Sequence, residues 1–240
     1  MPCVPDPLVV VSWLWRGVGR KSALHTAEKV NILRAMVARN LKVPHEFVCV
    51  TDMPEGVDRD IRIIPLWRDL RDEGYCMVRL GAFRPEMREI IGPRFVWLDL
   101  DIVVTGDLTP LFDTPEDFKI SGVELRAQPY NGSIVLMDAG ARRQVYDAYD
   151  RERFLRVKAE KTYGGTDQAW IAVCLGEKEA VWTEHDGIYN YRDHIHPDPP
   201  AGTGGALPEN ARIISFNGQF DPSMPGLQKK SPWIMDHWRR

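Results

Sequence analysis

Apolar residues in this chain fall either in short runs or at helical spacing, and over residues 1–110 the two patterns alternate. Leu8 to Trp13 is an apolar run behind Pro5 and Pro7, the pattern of a strand buried on both faces. From Thr26 to Leu41 the residues Ala27, Val30, Leu33, Val37 and Leu41 recur at helical spacing, with Thr26 as a suitable N-cap and Pro44 closing the segment. Phe47 to Val50 reads as a second strand ending at Thr51-Asp52, and Ile61 to Pro65 as a third. Val78 to Ile91 reads as a helix interrupted by Pro85, and Phe95 to Leu100 as a strand with acids at its C-terminal end. Further strands are expected at Lys119 to Leu125, Ser133 to Met137 and Ala211 to Phe216, and further helices at Ala141 to Arg156 and Thr166 to Leu175.

Alternating strands and helices imply an α/β architecture, a mixed but mostly parallel central sheet flanked by helices. Such sheets bind ligands beyond the carboxyl ends of their strands. That places interest on Ser12-Trp13, Thr51-Asp52 and Asp99-Leu100-Asp101. From His196 to Asn210 the chain is rich in Pro and Gly and reads as a long surface loop. One domain over residues 1–240 is expected, with halves at 1–110 and 111–240 and an appendage at the C-terminus.

Composition narrows the function without naming it. With 44% hydrophobic and 27% charged residues the chain has material for a core, and its net charge of −3 argues against a nucleic-acid binder. Cys3, Cys49, Cys76 and Cys174 show no metal-knuckle or redox spacing; buried thiols at Cys49 and Cys174 and a reducing cytoplasm fit best. The run Leu8 to Leu14 is too short for a transmembrane segment. Lys229, Lys230, Arg239 and Arg240 flank Trp233 and Trp238, which leaves a peripheral membrane contact open.

The chemistry centres on FVWLDLDIVV, residues 95–104. In a continuing strand, residues i and i+2 face the same side, so Asp99 and Asp101 are expected to share a site. Two hard oxygen donors suit Mn²⁺ or Mg²⁺. A carboxylate between apolar runs is costly unless it is paired or metal-bound. The bland reading is a solvated or capping strand end. Haloacid-dehalogenase-like phosphatases share the Asp-x-Asp pattern, with Asp99 as nucleophile and Asp101 as general acid. They resemble one another in placing it on the first strand and adding a late acidic pair, and neither feature is found here.

Taken together, the chain resembles the family 8 and related small bacterial glycosyltransferases of the GT-A fold. The resemblance runs through FVCVTD (47–52), GYCMVRLGAFRPEM (74–87), FVWLDLDIVVTGDLTPLF (95–112), YNGSIVLMDAG (130–140) and GGTDQAWI (164–171). It implies a GT-A-like nucleotide-diphospho-sugar transferase fold and a metal-dependent, retaining transfer from a nucleotide diphosphate sugar, UDP-sugars favoured, to a glycan or other hydroxyl acceptor. It also implies roles. Asp99 and Asp101 would hold the metal and the donor's diphosphate, with Ser12, Trp13 and Asp52 near base and ribose. Arg79 would lie near the phosphates, Asn131 and Gly132 would line the sugar pocket, and Asp167 and Gln168 would lie near the reacting carbon. Each has an ordinary alternative: Arg79 as an exposed helix arginine, Asn131-Gly132 as a turn, and Thr166-Asp167 as a helix cap.

The chain departs from the family pattern at ISFNGQFDPS (214–223), where the metal histidine is replaced by Asn217 or Ser215. An Asn carbonyl can still bind a hard cation. The family's lysine is also missing, and Lys229 or Lys230 are the substitutes at hand. A nucleotide-sugar-binding protein with weak or no turnover is therefore the alternative reading. His185, His194 and His196 match no ligand motif and read as a polar loop, with His194 or His196 as acceptor-site candidates; Tyr189 and Tyr191 could stack on a sugar or pack the core.

Overall fold

The computed structural model describes residues 5, 7–17, 25–71, 73–74, 76–122, 128–160, 163, 166–196 and 202–240. Cys3, and parts of the segments expected at 119–125 and 196–210, lie outside the described residues.

The strands are β1 (Leu8–Leu14), β2 (His45–Thr51), β3 (Arg62–Pro65), β4 (Arg94–Leu98), β5 (Ile102–Val104), β6 (Phe118–Gly122), β7 (Tyr130–Asp138), β8 (Ala180–Trp182), β9 (Ile188–Asn190) and β10 (Ile213–Ser215). Among the described residues, one sheet has the order β3-β2-β1-β4-β7-β6-β8, and a smaller one the order β5-β10-β9. In the large sheet β3, β2, β1 and β4 run parallel, β7 is antiparallel to β4 and β6, and β8 is parallel to β6.

Every residue of β1 is buried, Ser12 included, as a strand apolar at its other six positions requires. Leu8, Val10 and Leu14 pack on one face of the sheet, and Val9, Val11 and Trp13 on the other. The first face is covered by α1 (Ala27–Asn40), through Val30, Leu33, Met36 and Val37. The second carries α2 (Arg68–Arg71), a 3₁₀ segment (Met77–Phe83) and α3 (Met87–Ile90). The remaining helices are α4 (Thr109–Phe112), α5 (Gln144–Asp147), α6 (Arg151–Glu160), α7 (Asp167–Leu175), α8 (Pro225–Lys230) and α9 (Trp233–His237).

Several expectations change. The helix expected over 78–91 is a 3₁₀ segment and a short α-helix. Pro85 forces the preceding Arg84 into an extended conformation (φ −63°, ψ 143°), and the helix cannot pass it. The helix expected over 141–156 is also two. It starts late because Arg142 has φ +57°, and restarts where Asp150 caps the backbone N–H of Arg153 at 2.8 Å. Thr26 precedes α1 as expected, yet its side chain makes no capping bond.

The change that matters most is at the acidic motif. β4 ends at Leu98, residues 99–101 form a turn, and β5 then leaves for the smaller sheet. Asp99 and Asp101 therefore do not share one strand face. The segment expected as an appendage is built in: β10 pairs with β5 and β9, and the backbone N–H of Phe216 bonds the carbonyl of Asp101 at 2.9 Å. Among the described residues, no helix is long and apolar enough to cross a membrane.

Candidate active site

Arg79 organises the site. It lies in the 3₁₀ segment and is only 7% exposed, so the exposed-arginine reading falls away. Its Nη1 donates to Oδ1 of Asp99, and its Nη2 donates to Oδ1 of Asp167 at 2.8 Å and lies 2.7 Å from Oδ2. The Trp97 ring packs under the guanidinium at 5.0 Å, and its Nε1 donates to the same Asp99 oxygen at 3.1 Å. Arg79 is thus held by two carboxylates and an aromatic face.

Burial alone would lower the pKa of Arg79, but Asp167 and Asp99 more than offset this and hold it protonated well above its ordinary range. Burial pushes the Asp167 carboxyl up, and Arg79 pulls it back. Thr166 makes no side-chain cap, and the Asp167 carboxylate, held by Arg79, also meets the backbone of Gln168 at the helix start. One cation between two carboxylates leaves an excess negative charge in a buried place. A bound cation would relieve it.

An irregularity in β7 brings the sugar-pocket candidates here. Ile120 pairs with Val135, but the next residue, Ser121, pairs with Asn131, so residues 132–134 are extra on β7. Off the β6 edge, Gly132 N–H donates to Gln168 Oε1 at 3.1 Å, while on the β4 edge the Ser133 carbonyl accepts from Asp99 N–H at 2.9 Å. Asn131 Oδ1 closes the irregular stretch by accepting from the N–H and the hydroxyl of Ser133, at 2.9 and 2.6 Å. A Cβ on Gly132 would stand 3.6 Å from both Arg79 Nη2 and Asp167 Oδ2, so the missing side chain opens a path to the ion pair. Such irregularities are frequent beside functional sites, where they re-aim groups.

The structure therefore gathers Arg79, Asp99, Gly132, Asp167 and Gln168 in one place. Asp101 is 9% exposed, in the same turn as Asp99. Asn217 follows β10 at the end where that strand meets the start of β5, and it shares the lining of a cavity with Asn131. Among the described residues no three His, Cys, Asp or Glu form a cluster able to hold a metal ion.

The base and ribose candidates separate from this group. Trp13 is buried against Trp67 and Trp97, at ring distances of 5.7 and 6.3 Å, and acts as core. Ser12 is fully buried, in register with Cys49 of β2. Asp52 accepts from Arg16 N–H and from Arg71 Nη2, both at 3.0 Å. Beside it lies an open cleft lined by Arg16, His25, Met53 and Gly56.

Two residues of the site were missed in the sequence. Trp97 lies two positions before Asp99, and alternation along the strand could have found it. His25, ahead of α1, stacks on Trp15 with 6.3 Å between the rings. Burial lowers its pKa, although Asp101 and Asp99 pull it up.

No family model and no curated protein sequence matches the chain. Solved structures do match. The chain is similar to the galactosyltransferase LgtC, in complex with donor and acceptor sugar analogs, with TM-score 0.57, 12% identity and 96% of each chain covered. It is also similar to the apo glycosyltransferase GlyE of Streptococcus pneumoniae TIGR4 (TM-score 0.58, 13% identity), covering 96% of this chain and 62% of that one. For the bifunctional glycosyltransferase WbbM the TM-score is 0.58 at 12% identity, with 98% of this chain and 52% of that one covered. The likeness is one of fold: this is an α/β chain with the GT-A fold, and it resembles small bacterial glycosyltransferases.

Proposed function

We propose that the chain transfers a glycosyl group from a nucleotide diphosphate sugar, UDP-sugars favoured, to a hydroxyl acceptor such as a glycan, with retention at the anomeric carbon. The observation that carries this reading is Arg79 clamped between Asp99 and Asp167 and facing Gly132. Support also comes from the fold and from LgtC, which was solved with donor and acceptor sugar analogs and also as an active-site variant with a glutamine changed to glutamate.

The donor set has the right chemistry for a hard divalent cation. Among the described residues, Arg79 and Trp97 both donate to Oδ1 of Asp99, which leaves its other oxygen for a ligand. Asp99, Asp101 and the Asn217 carbonyl would hold Mn²⁺ or Mg²⁺, which prefer oxygen ligands. When bound, such a cation supplies charge neutralisation to the departing diphosphate.

The chain's own residues would do the rest. Arg79 acts through the two carboxylates it holds, fixing Asp99 toward the diphosphate and Asp167 beneath the sugar. Gln168 is oriented by Gly132 N–H through Oε1, which leaves its amide nitrogen to donate to a sugar hydroxyl. The cleft at Arg16, His25, Met53 and Gly56, rather than the buried Trp13 and Ser12, takes base and ribose, with Asp52 at its side. No carboxylate is placed as a covalent nucleophile, so the acceptor hydroxyl attacks from the side the leaving group departs.

Calorimetric titration of UDP and GDP with and without Mn²⁺, followed by assays of donor hydrolysis, tests the reading. Metal-dependent UDP binding with slow release of sugar is expected. Binding without any sugar release would favour a nucleotide-sugar-binding protein of weak or no turnover, a reading supported by Asn217 at the histidine position. Phosphatase activity lost in Asp99→Asn would instead revive the dehalogenase-like reading.

A further inference from the structure

Trp97 is fully buried near the end of β4, and its ring serves two neighbours at once. It packs under the Arg79 guanidinium, and its Nε1–H donates to Asp99 Oδ1 at 3.1 Å. Arg79 Nη1 donates to the same oxygen. A carboxylate turns about its Cβ–Cγ bond in a broad well. One donor on one oxygen still lets the group swing, whereas two donors from different elements, the 3₁₀ segment and β4, fix that oxygen. The backbone is fixed as well, because Asp99 N–H donates to the Ser133 carbonyl of β7 at 2.9 Å. With its backbone and Oδ1 both held, the place of Oδ2 follows. The Asp99 side chain stays 18% exposed although both donors are buried, so a ligand can still reach it.

The ring itself has no room to turn. Trp13 meets it edge-on at 6.3 Å, Trp67 packs on Trp13 at 5.7 Å, and the Arg84 guanidinium covers Trp67 at 5.1 Å. Gly81 permits this close stack, since a Cβ there would meet Trp67 Cε3 at 2.7 Å. Packing alone does not supply the hydrogen bond. Trp13 Nε1 is also buried in the stack, and it meets no acceptor among the described residues. An indole N–H is a donor with no charge and no acceptor capacity. It therefore orients the carboxylate without cancelling its charge, which a second Arg or Lys at this place would do. Arg79 is already shared with Asp167, so the group keeps the excess negative charge that attracts a cation.

We infer that Trp97 is a positioning residue for the cation, its indole N–H acting with Arg79 to aim Oδ2 of Asp99 at the metal. This role rests on the transferase reading, which puts Mn²⁺ or Mg²⁺ at Asp99. Trp97 touches neither metal nor donor in this arrangement and acts through Asp99. Hydrogen bonds that orient a ligating carboxylate are worth about 10–100-fold in metal affinity.

Trp97→Phe isolates the N–H, because Phe keeps an aromatic face under Arg79. Free Mn²⁺ is counted by EPR as each chain is titrated in the presence of UDP. The parent chain is expected to bind Mn²⁺, and Trp97→Phe to bind it about 10–100-fold more weakly. Trp67→Phe thins the same stack without removing a donor to Asp99, and should stay within about twofold of the parent. Thermal unfolding confirms that each variant folds. A second readout needs only the parent chain. Its tryptophan indole N–H signals are followed by NMR while Mg²⁺ is added at saturating UDP. The Trp97 signal should shift in step with metal binding, and more than that of Trp13, which has no acceptor to relay the change. Near-parental Mn²⁺ affinity in folded Trp97→Phe, equal losses in Trp97→Phe and Trp67→Phe, or a Trp97 signal indifferent to metal would overturn the inference. Absence of any metal binding by the parent chain with UDP sinks the transferase reading and the role of Trp97 with it. Metal binding by the parent that ignores the loss of the N–H sinks only the positioning role.

Discussion

At the scale of single residues, Arg79 carries the most consequence. A guanidinium reaches two carboxylates with separate nitrogens, and a lysine ammonium on the same stem cannot copy that fork. Arg79→Lys should lower stability by about 3 kcal/mol, because breaking a buried pair leaves a carboxylate uncompensated. Melting curves would show a drop of about 6–12 °C for a chain of this size. A drop under 2 °C, with roughly unchanged activity, would mean the clamp is not the organising feature. Gly81 offers a packing test. A Cβ there would lie 2.7 Å from Trp67 Cε3 and 3.4 Å from Trp13 Cη2, so Gly81→Ala should cost about 1–3 kcal/mol in urea unfolding. Cys49 is fully buried, and burial pushes its thiol up to about 12. Mass spectrometry after iodoacetamide at pH 8 should find Cys49 unmodified in the folded chain and modified in urea. Arg79, Gly132 and the Asp-Gln pair were singled out only through the resemblance to family 8 glycosyltransferases, whereas the acids could be picked out in the sequence because they end an apolar strand. What joins them could not. Arg79 meets Asp167 across 88 positions, a contact that no local period encodes.

At the scale of elements, periodicity located the strands of four residues or more and the long helix α1. The interruption at Pro85 was expected, but the period failed where a local breaker overrode it at Arg142 and Asp150. It also missed β8 and β9, which have three residues each and are too short to show a period. The end of β4 was misread for a different reason. Ile102 to Val104 continues the apolar run, and nothing in the run reveals that the chain changes sheets at residues 99–101. The C-terminal segment is tied to α1 by a buried ion pair between Lys29 and Asp221, to which the Ser223 N–H and hydroxyl also donate, at 3.0 and 2.5 Å. Burial alone would raise the Asp221 pKa, but Lys29 and Ser223 outweigh it and hold the carboxyl below its ordinary value. For a depressed carboxylate the stabilisation is present above the unfolded-state pKa and fades as pH falls through the folded one. Asp221→Asn should therefore cost about 3–5 kcal/mol at pH 7, and the gap to the parent chain should narrow as pH falls below the usual carboxylate range. Denaturant unfolding at several pH values checks this. A gap independent of pH would show that the pair adds no linkage.

At the scale of the whole molecule, two sheets share one seam, and the functional groups collect there. β4 and β5 enter it from one side, the irregular stretch of β7 from another, and β10 closes it. The layered α/β class was legible because alternating patterns admit few packings. The second sheet was not, since its strands come from residues 102–104, 188–190 and 213–215, and only their pairing makes them a unit. The Arg79 clamp and the cavity lined by Asn131 and Asn217 both border this β7 stretch, whereas the cleft at Arg16, His25, Met53 and Gly56 is lined by other elements. The most direct test is the release of UDP from UDP-glucose, UDP-galactose and UDP-N-acetylglucosamine in the presence of Mn²⁺. The account predicts release from at least one donor, stopped by EDTA, and reduced about 100-fold or more in Asp99→Asn, in keeping with loss of a key electrostatic group. No release from any of the three, or release that is indifferent to both EDTA and Asp99→Asn, would contradict it.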